Sequence, residues 1–302
     1  MSNIINYEKT YNIINNPIKF NNPKKNTNMT YKILIPTKIP LISIQDFSLN
    51  IGIEIEVCTK RKSEKNINEK NKLKYFINVK DCSIKCNDGF NPREYIIKGY
   101  IKNKNLDTIN NDLNKIIETT KTCKDHSCGL HFHISSDNIK LSIQGLFFLI
   151  NFILNWNDNY QKEFEEKFLY KKYVKKSYSD PLKLSEKDIE LLKEQKQKLI
   201  KKNNKNIIFL LNILKKIINI TRNIPNNINE LNLLYQNNQS IIGKRTYLTI
   251  VEDKKFIHVE FRDLLPWALK RTIINFPALV KEKYLETIEE TNKEIEEINK
   301  NL

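Results

Sequence analysis

Three short stretches of this chain carry ionisable residues at two-residue spacing: Glu54 and Glu56, His131 and His133, and His258, Glu260 and Arg262. In an extended strand, residues two apart share a face. Ile53, Ile55 and Val57 then line one side of the first stretch, Leu130, Phe132 and Ile134 one side of the second, and Ile257, Val259 and Phe261 one side of the third. Each strand buries an apolar row and presents an ionisable row on the opposite face. A solvated face in a chain this rich in Lys and Asn is expected to carry Lys, Asn, Thr and Ser. These faces instead carry three of the four histidines, with Glu and Arg. Carboxylates about 7 Å apart on one face repel unless positive charge lies between them. A divalent cation, or Arg with a metal-bound phosphate, supplies that charge. Each pair alone has an ordinary reading: a solvated Glu-x-Glu face, a surface His pair, a local Glu-Arg ion pair. Their conjunction in one chain points to a site.

Further residues extend the constellation. Asp81 and Ser83 add a carboxylate and a hydroxyl to one face after a second strand, and Glu94 follows Arg93 at the opening of a third. Arg245 begins the strand before the one that carries His258, within reach of the same face. Several carboxylates, an imidazole and at least two Arg suit a metal-bound polyphosphate. Mg²⁺ prefers oxygen ligands and bridges carboxylates to phosphate oxygens. Arg stabilises charge on a transferring phosphoryl group through its fixed fork of donors. Neither a GxxxxGK[ST] loop nor a GxGxxG turn occurs, and six glycines leave little material for one. A nucleotide must therefore lie on a sheet face, held by metal and Arg.

The segments Gly52-Ile53-Glu54-Ile55-Glu56, Asp81-Cys82-Ser83, Glu94-Tyr95-Ile96-Ile97, Cys128-Gly129-Leu130-His131-Phe132-His133-Ile134, Arg245 and Val259-Glu260-Phe261-Arg262 follow one another in that order. In order and type they resemble the amidoligase family of the carboxylate–amine ligase superfamily, related in fold to glutamine synthetase and glutamate–cysteine ligase. The resemblance covers residues 49–270 and is most specific in the GxExE, GLHxHI and ExR strands. It implies a curved antiparallel sheet holding ATP and two or more Mg²⁺ on its inner face. It implies metal ligation by Glu54, Glu56, Glu94, His131 and Glu260, with His131 or His133 on metal or phosphate. Arg245 and Arg262 would hold phosphates or an acyl phosphate, and Asp81 would position the attacking amine. The activity implied is ATP-dependent formation of an amide or isopeptide bond through an acyl phosphate. Its substrates are a carboxylate and an amine from an amino acid, a peptide, a protein side chain or a polyamine. The family follows the third-strand Glu with a Ser-Pro step, whereas Ile97-Lys98 stands here.

Two other classes stay open on the residues alone. His131 and His133 with Glu54 or Glu260 could hold Zn²⁺ and activate water in a hydrolase, or the same fold could pass phosphate stably to a product. A non-enzymatic basic module would use Lys-rich helices on nucleic acid or an acidic protein. That last reading has no need of His and Glu on strand faces.

The elements that position these residues follow from periodicity. Residues 49–58, 74–81, 95–101, 129–135, 245–251 and 256–262 read as strands, with 31–35 a candidate edge strand. Apolar residues at 106, 109, 113, 116 and 117 predict a helix over 106–120. Further helices are expected at 141–156, continuing to about 170, and at 184–218, opened by the capping pair Ser185 and Asp188. The last two are 269–281, broken or kinked at Pro277, and 284–298. Strands and helices are segregated, so the expected class is α+β, a mostly antiparallel sheet with helices packed on its outer face. The resemblance adds a glutamine synthetase-like catalytic domain over 45–270. Residues 1–44 read as a variable leader interrupted by Pro17, Pro23, Pro36 and Pro40. Residues 170–240 read as a helical Lys- and Asn-rich insertion, and 271–302 as C-terminal helices.

Composition bounds the rest. The 302 residues are 40% hydrophobic and 28% charged, enough for a sizeable core in a soluble protein. The greasiest stretch, 143–156, is broken by Gln144, Asn151 and Asn155 and falls short of a bilayer span. No membrane partner is expected. Residues 1–20 have neither a signal core nor a transit pattern, so the expected address is cytoplasmic. The net charge is +16, but Asn, Lys and Ile share A/T-rich codons and the Lys runs at 60–74, 171–176 and 193–205 are scattered. Solvated faces explain them better than a nucleic-acid partner. The helix over 284–298 is amphipathic and could dock on the domain or in an oligomer. Five cysteines, an odd count without a secretion signal, argue against a disulfide framework. The Cys82/Cys86 spacing, and Cys123 and Cys128 around His126, admit a Cys/His zinc site.

Overall fold

The alternating stretches pair with one another as neighbouring strands. The structure, a computed structural model, describes residues 38–60, 73–82, 84, 86–121, 128–168, 179–180, 182, 184–200, 245–246, 248–251, 255–264 and 269–301. The expected strand 31–35, the expected helix beyond residue 200 and the rest of the insertion to residue 240 lie outside the described residues. The first half of the chain gives β1 (Leu49–Lys60), β2 (Phe76–Val79), β3 (Phe90–Ile97) and β4 (Ile101–Lys102). A 3₁₀ segment (Asn103–Ile109), α1 (Asn110–Thr119), β5 (Thr120–Lys121) and β6 (Leu130–Lys140) follow. Next come α2 (Ile143–Asn155), a π segment (Trp156–Tyr160), α3 (Gln161–Lys167), β7 (Ser179–Asp180) and α4 (Glu186–Ile200). The chain closes with β8 (Arg245–Thr246), β9 (Leu248–Val251), β10 (Phe256–Leu264) and α5 (Leu269–Lys300).

The class is mixed α+β. The main sheet runs β2-β3-β1-β6-β10-β9 with every described ladder antiparallel, and β4 and β5 also pair with β1. It is open and uncurled, so the expected curvature is not part of the observed architecture. β7 and β8 form a separate parallel pair. The expected single strand 245–251 is therefore divided between two sheets.

The apolar rows form the core as the alternation requires. Ile53, Ile55, Leu130, Phe132, Ile134 and Val259 are fully buried, and Val57, Ile257 and Phe261 nearly so. α2 and α5 cover this face; Phe132 stacks on Phe276 of α5 at 4.7 Å between ring centroids. α2 is apolar nearly all round because it lies between the sheet and α5. Ser142 caps it, its Oγ accepting from the Gly145 N–H at 3.3 Å. The capping pair of α4 is formed: the Asp188 N–H donates to Ser185 Oγ, and the Ser185 N–H to Asp188 Oδ2.

Two helix expectations are corrected. Pro277 does not break the last helix; α5 is continuous over 32 residues. Proline removes one helical hydrogen bond, but Ile273, Phe276, Val280, Tyr284, Ile288 and Ile295 form one buried stripe on either side of it. Burial of that stripe outweighs the local loss. The helix expected to run from 141 to about 170 is instead interrupted by the π segment at Trp156, a buried ring packed against Phe164 and Phe261.

Residues 38–44 lie extended along α5. Asn299 and Asn292 each accept from and donate to the backbone of one strap residue, Ile39 and Ile42 respectively, at 2.8–2.9 Å. No helix among the described residues is long and apolar enough to cross a membrane.

Candidate functional site

The ladder registers fix which side chains meet. On β1 and β6, Glu54 stands opposite His131 and Gly52 opposite His133. On β6 and β10, His133 stands opposite Glu260. On β1 and β3, Glu56 stands opposite Glu94. All these residues share the face away from α2 and α5, so four strands, the first and last some two hundred residues apart in the chain, form one polar patch.

At its centre, His133 Nε2 lies 3.0 Å from Glu54 Oε1 and 3.9 Å from Glu260 Oε1. His131 is more deeply buried; its Nδ1 is 3.4 Å from Glu54 and 3.9 Å from Glu260, and its Nε2 is 3.7 Å from Glu56. Arg262 bonds Glu260 Oε1 through Nη1, and Thr249 Oγ1 donates to Glu260 Oε2 at 3.0 Å. Donor atoms of Glu54, His133 and Glu260 all lie within 4.8 Å of one another, the spacing of a cation site.

The electrostatics follow from burial of opposite charges. Burial pushes Glu54 up, but the imidazoles of His133 and His131 outweigh it and hold the carboxyl well below its usual range. Burial likewise opposes ionisation of Glu260, and Arg262, then His133 and His131, pull it down. Burial disfavours the His131 cation, yet Glu56, with Glu54 and Glu260, raises it to about 9 against the opposing charge of Arg262. His133 is raised too, its burial outweighed by Glu54 and then Glu260. Glu94 behaves oppositely to the other acids. Burial, then the charges of Glu54, Glu56 and Asp81, drive it up to about 8. The patch thus has two ends: one where His and Arg balance Glu54 and Glu260, and one where Glu56, Glu94 and Asp81 repel one another.

Of the expected residues, Glu54, Glu56, Glu94, His131, His133, Glu260 and Arg262 come together on this face, and Asp81 lies close enough to act on Glu94. Arg245 does not join the main sheet; its backbone pairs with Ser179 in the separate ladder, and its side chain lies outside the described residues. Ser83 also lies outside them.

Sequence reasoning missed Thr249 and Tyr100. Thr249 alternates with buried Leu248 and Ile250 and pairs with Glu260, so the same period-two reading applied to β9 finds it. Tyr100 carries no local signal. Its ring lies over Gly52 (an added Cβ there would be 3.4 Å from Tyr100 Cε1) and reaches within 6.0 Å of the His258 ring. The tighter neighbour of Gly52 is the His133 Cβ, 3.0 Å from where a Cβ would stand, so a side chain there would press on the facing residue of β6.

The cysteine expectation is corrected. Cys58 and Cys86 are joined in a disulfide with 5.7 Å between Cα atoms, and Cys128 is disulfide-bonded as well. Cys count and inferred compartment had argued against this, but bond formation is decided by approach, and the β2–β3 connection brings Cys86 onto the end of β1. Cys86 and Cys128 are therefore not thiolate ligands for zinc, and Cys82 is the free cysteine among the described residues. Cys123 and His126 lie outside them.

No protein-family model, curated protein or solved structure matches the chain.

Proposed function

We propose that this chain is an ATP- and Mg²⁺-dependent carboxylate–amine ligase that forms an amide or isopeptide bond through an acyl phosphate. One observation carries the reading: Glu54, His133 and Glu260, from three strands, bring donor atoms within 4.8 Å of one another, with Arg262 on the same carboxylate. Two carboxylates and an imidazole fit a hard divalent cation, the imidazole favouring Mn²⁺ as a laboratory substitute. A second ion would be held by Glu56 and Glu94. Bound cations would offset triphosphate charge and orient the γ-phosphate.

The chain's own residues supply the rest. Arg262 is anchored by Glu260 with its guanidinium beside the phosphate position, where it offsets charge in the transition state. The substrate carboxylate oxygen attacks the γ-phosphorus and ADP leaves. The amine then attacks the acyl carbon and phosphate leaves. Asp81, at the acid end of the face, would position the amine. Tyr100, 39% exposed at the opposite end, offers a planar surface for the nucleobase. A glutamine synthetase-like layout and a cytoplasmic address belong to the same reading.

The test uses hydroxylamine as the amine. Incubation with MgATP and a panel of amino-acid and peptide carboxylates is expected to release ADP and yield a hydroxamate, which traps the acyl phosphate. Absence of both MgATP binding and hydroxamate would sink the reading. The imidazole in the cluster also favours a zinc hydrolase; tightly held zinc by elemental analysis, without ATP binding, would decide for it.

A further inference from the structure

The polar row of β1 does not end at Glu56. Two residues on, Cys58 falls on the same face by strand alternation, and it is buried there under its bond to Cys86. Cys86 belongs to the connection between β2 and β3, residues 80–89. Asp81 stands at the start of that connection, and its charge reaches Glu94. The disulfide therefore ties the connection that bears Asp81 to the strand that carries Glu54 and Glu56. Cys82, next to Asp81, is a free and exposed thiol four residues from Cys86. A Cys82–Cys86 bond needs Cα atoms about 4.4–6.8 Å apart, a span shorter than four residues of extended chain.

We infer that Cys58–Cys86 is a thiol–disulfide exchange site with Cys82 as its attacking thiol, and that its state governs how firmly Asp81 and Cys86 are held to β1. The step balances without an external oxidant or reductant. Cys82 gives up its proton, and the thiolate attacks Cys86 Sγ. The Cys82–Cys86 bond forms as the Cys58–Cys86 bond breaks, and Cys58 leaves as a thiolate that takes up a proton. A small dithiol reaches a related state, reducing both sulfurs as it becomes the cyclic disulfide. Either way the connection loses its covalent tie to β1, and Cys58 returns to the face beside Glu56. The bond closes a loop of 28 residues, so its loss restores substantial freedom to that loop. In a glutathione-buffered compartment a bond of this kind is transient and regulatory rather than structural.

The consequence for the site rests on the cation reading above; the exchange itself does not. The full chain is prepared oxidised and dithiothreitol-reduced, with Cys82→Ser and Cys86→Ser alongside. Alkylation with peptide mapping reads the bonds, amide hydrogen exchange reads residues 80–89, and Mn²⁺ titration reads the site. The oxidised chain is expected to show Cys58–Cys86. Incubation at mildly alkaline pH without reductant is expected to produce Cys82–Cys86 in the unmodified chain and none in Cys82→Ser. Release of Cys58 is expected to speed amide exchange in the connection about tenfold or more and to weaken Mn²⁺ binding about five- to tenfold. Oxidised Cys86→Ser, which keeps the Cys128 disulfide, is expected to match the reduced chain in amide exchange of the connection, and the redox comparison of the unmodified chain stands even if that variant misfolds. Failure to find Cys58–Cys86 in the oxidised chain, failure of Cys82 to capture Cys86, or equal protection of the connection before and after release would overturn the inference. If bond exchange and loop release occur but the oxidised chain binds no Mn²⁺, the cation reading falls and the exchange site stands.

Discussion

His131 and His133 sit among Glu54, Glu56 and Glu260, whose charges raise both imidazoles above their ordinary range at the place proposed for a metal ion. In the cation-free protein a proton on either imidazole is favoured by these carboxylates. A divalent cation must displace such protons, so its affinity is expected to rise with pH across neutrality, read by Mn²⁺ titration with proton release in two buffers. Glu54→Gln and Glu260→Gln keep volume and remove one ligand charge each. Both are expected to abolish ADP release while circular dichroism stays unchanged; turnover surviving both would remove the metal face from the mechanism. Stability should respond to pH as well. Glu94 is protonated in the fold up to about 8, whereas an unfolded glutamate has lost its proton well below that. His131 holds its proton up to about 9, above the unfolded range. In both cases the native state binds the extra proton, so the stability from each is lost as pH rises: through the range from about 4.5 to 8 for Glu94, and from about 6.5 to 9 for His131. The melting temperature of the cation-free protein is expected to fall steadily between pH 6.5 and 9, and Glu94→Gln to make that fall shallower. A rising melting temperature over the same window would contradict the charge arrangement described.

At the scale of elements, the strands were legible because one face of each is fully buried. Burial enforces period-two alternation, and alternation placed Glu54, His131, His133, Glu260 and Arg262 on a common face before any coordinates. What stayed illegible depends on contacts between distant segments. Continuity of α5 through Pro277 rests on the core beneath it, and Tyr100, between β3 and β4, meets Gly52 and His258 from distant parts of the chain. The Cys58–Cys86 bond depends on the path of a connection with no periodicity of its own. Arg245 looked like the start of a strand in the main sheet because its neighbours alternate, but short strands carry too little pattern to reveal a change of partner. Gly145 shows how such contacts constrain an element. It lies in the first turn of α2, and a Cβ there would sit 1.9 Å from the Lys140 carbonyl oxygen. Because that neighbour is backbone, the turn from β6 into α2 must move. Gly145→Ala is expected to cost about 1–3 kcal/mol by urea denaturation, despite alanine's better helix propensity. A neutral or stabilised variant would show that the turn is softer than its geometry indicates.

Across the whole molecule, the two ends of the described chain are tied together by backbone recognition. Asn292 and Asn299 are seven residues apart on α5, a helical separation of about 10.5 Å. Ile39 and Ile42 are three residues apart in extended chain, a separation of about 10 Å. The match lets each carboxamide accept one N–H and donate to one C=O of a single strap residue, while the Ile39 and Ile42 side chains are buried. Asn138 of β6 holds the next carbonyls, those of Ser43 and Gln45. The strap is thereby part of the folded unit although its sequence carries no helix or strand pattern. α5 packs on the apolar face through Phe276, so the clasp and the polar site lie on opposite sides of the sheet. Asn292→Ala and Asn299→Ala each remove two hydrogen bonds and leave a backbone pair to be satisfied by water. Each is expected to cost about 1–2 kcal/mol, and the double variant about the sum, since the two positions share no partner. Amide exchange at Ile39 and Ile42 is expected to accelerate in step, while Mn²⁺ affinity at the site stays unchanged. If instead the double variant weakens Mn²⁺ binding as strongly as it loosens the strap, the two faces of the sheet are coupled, and the polar patch is not held by its strand registers alone.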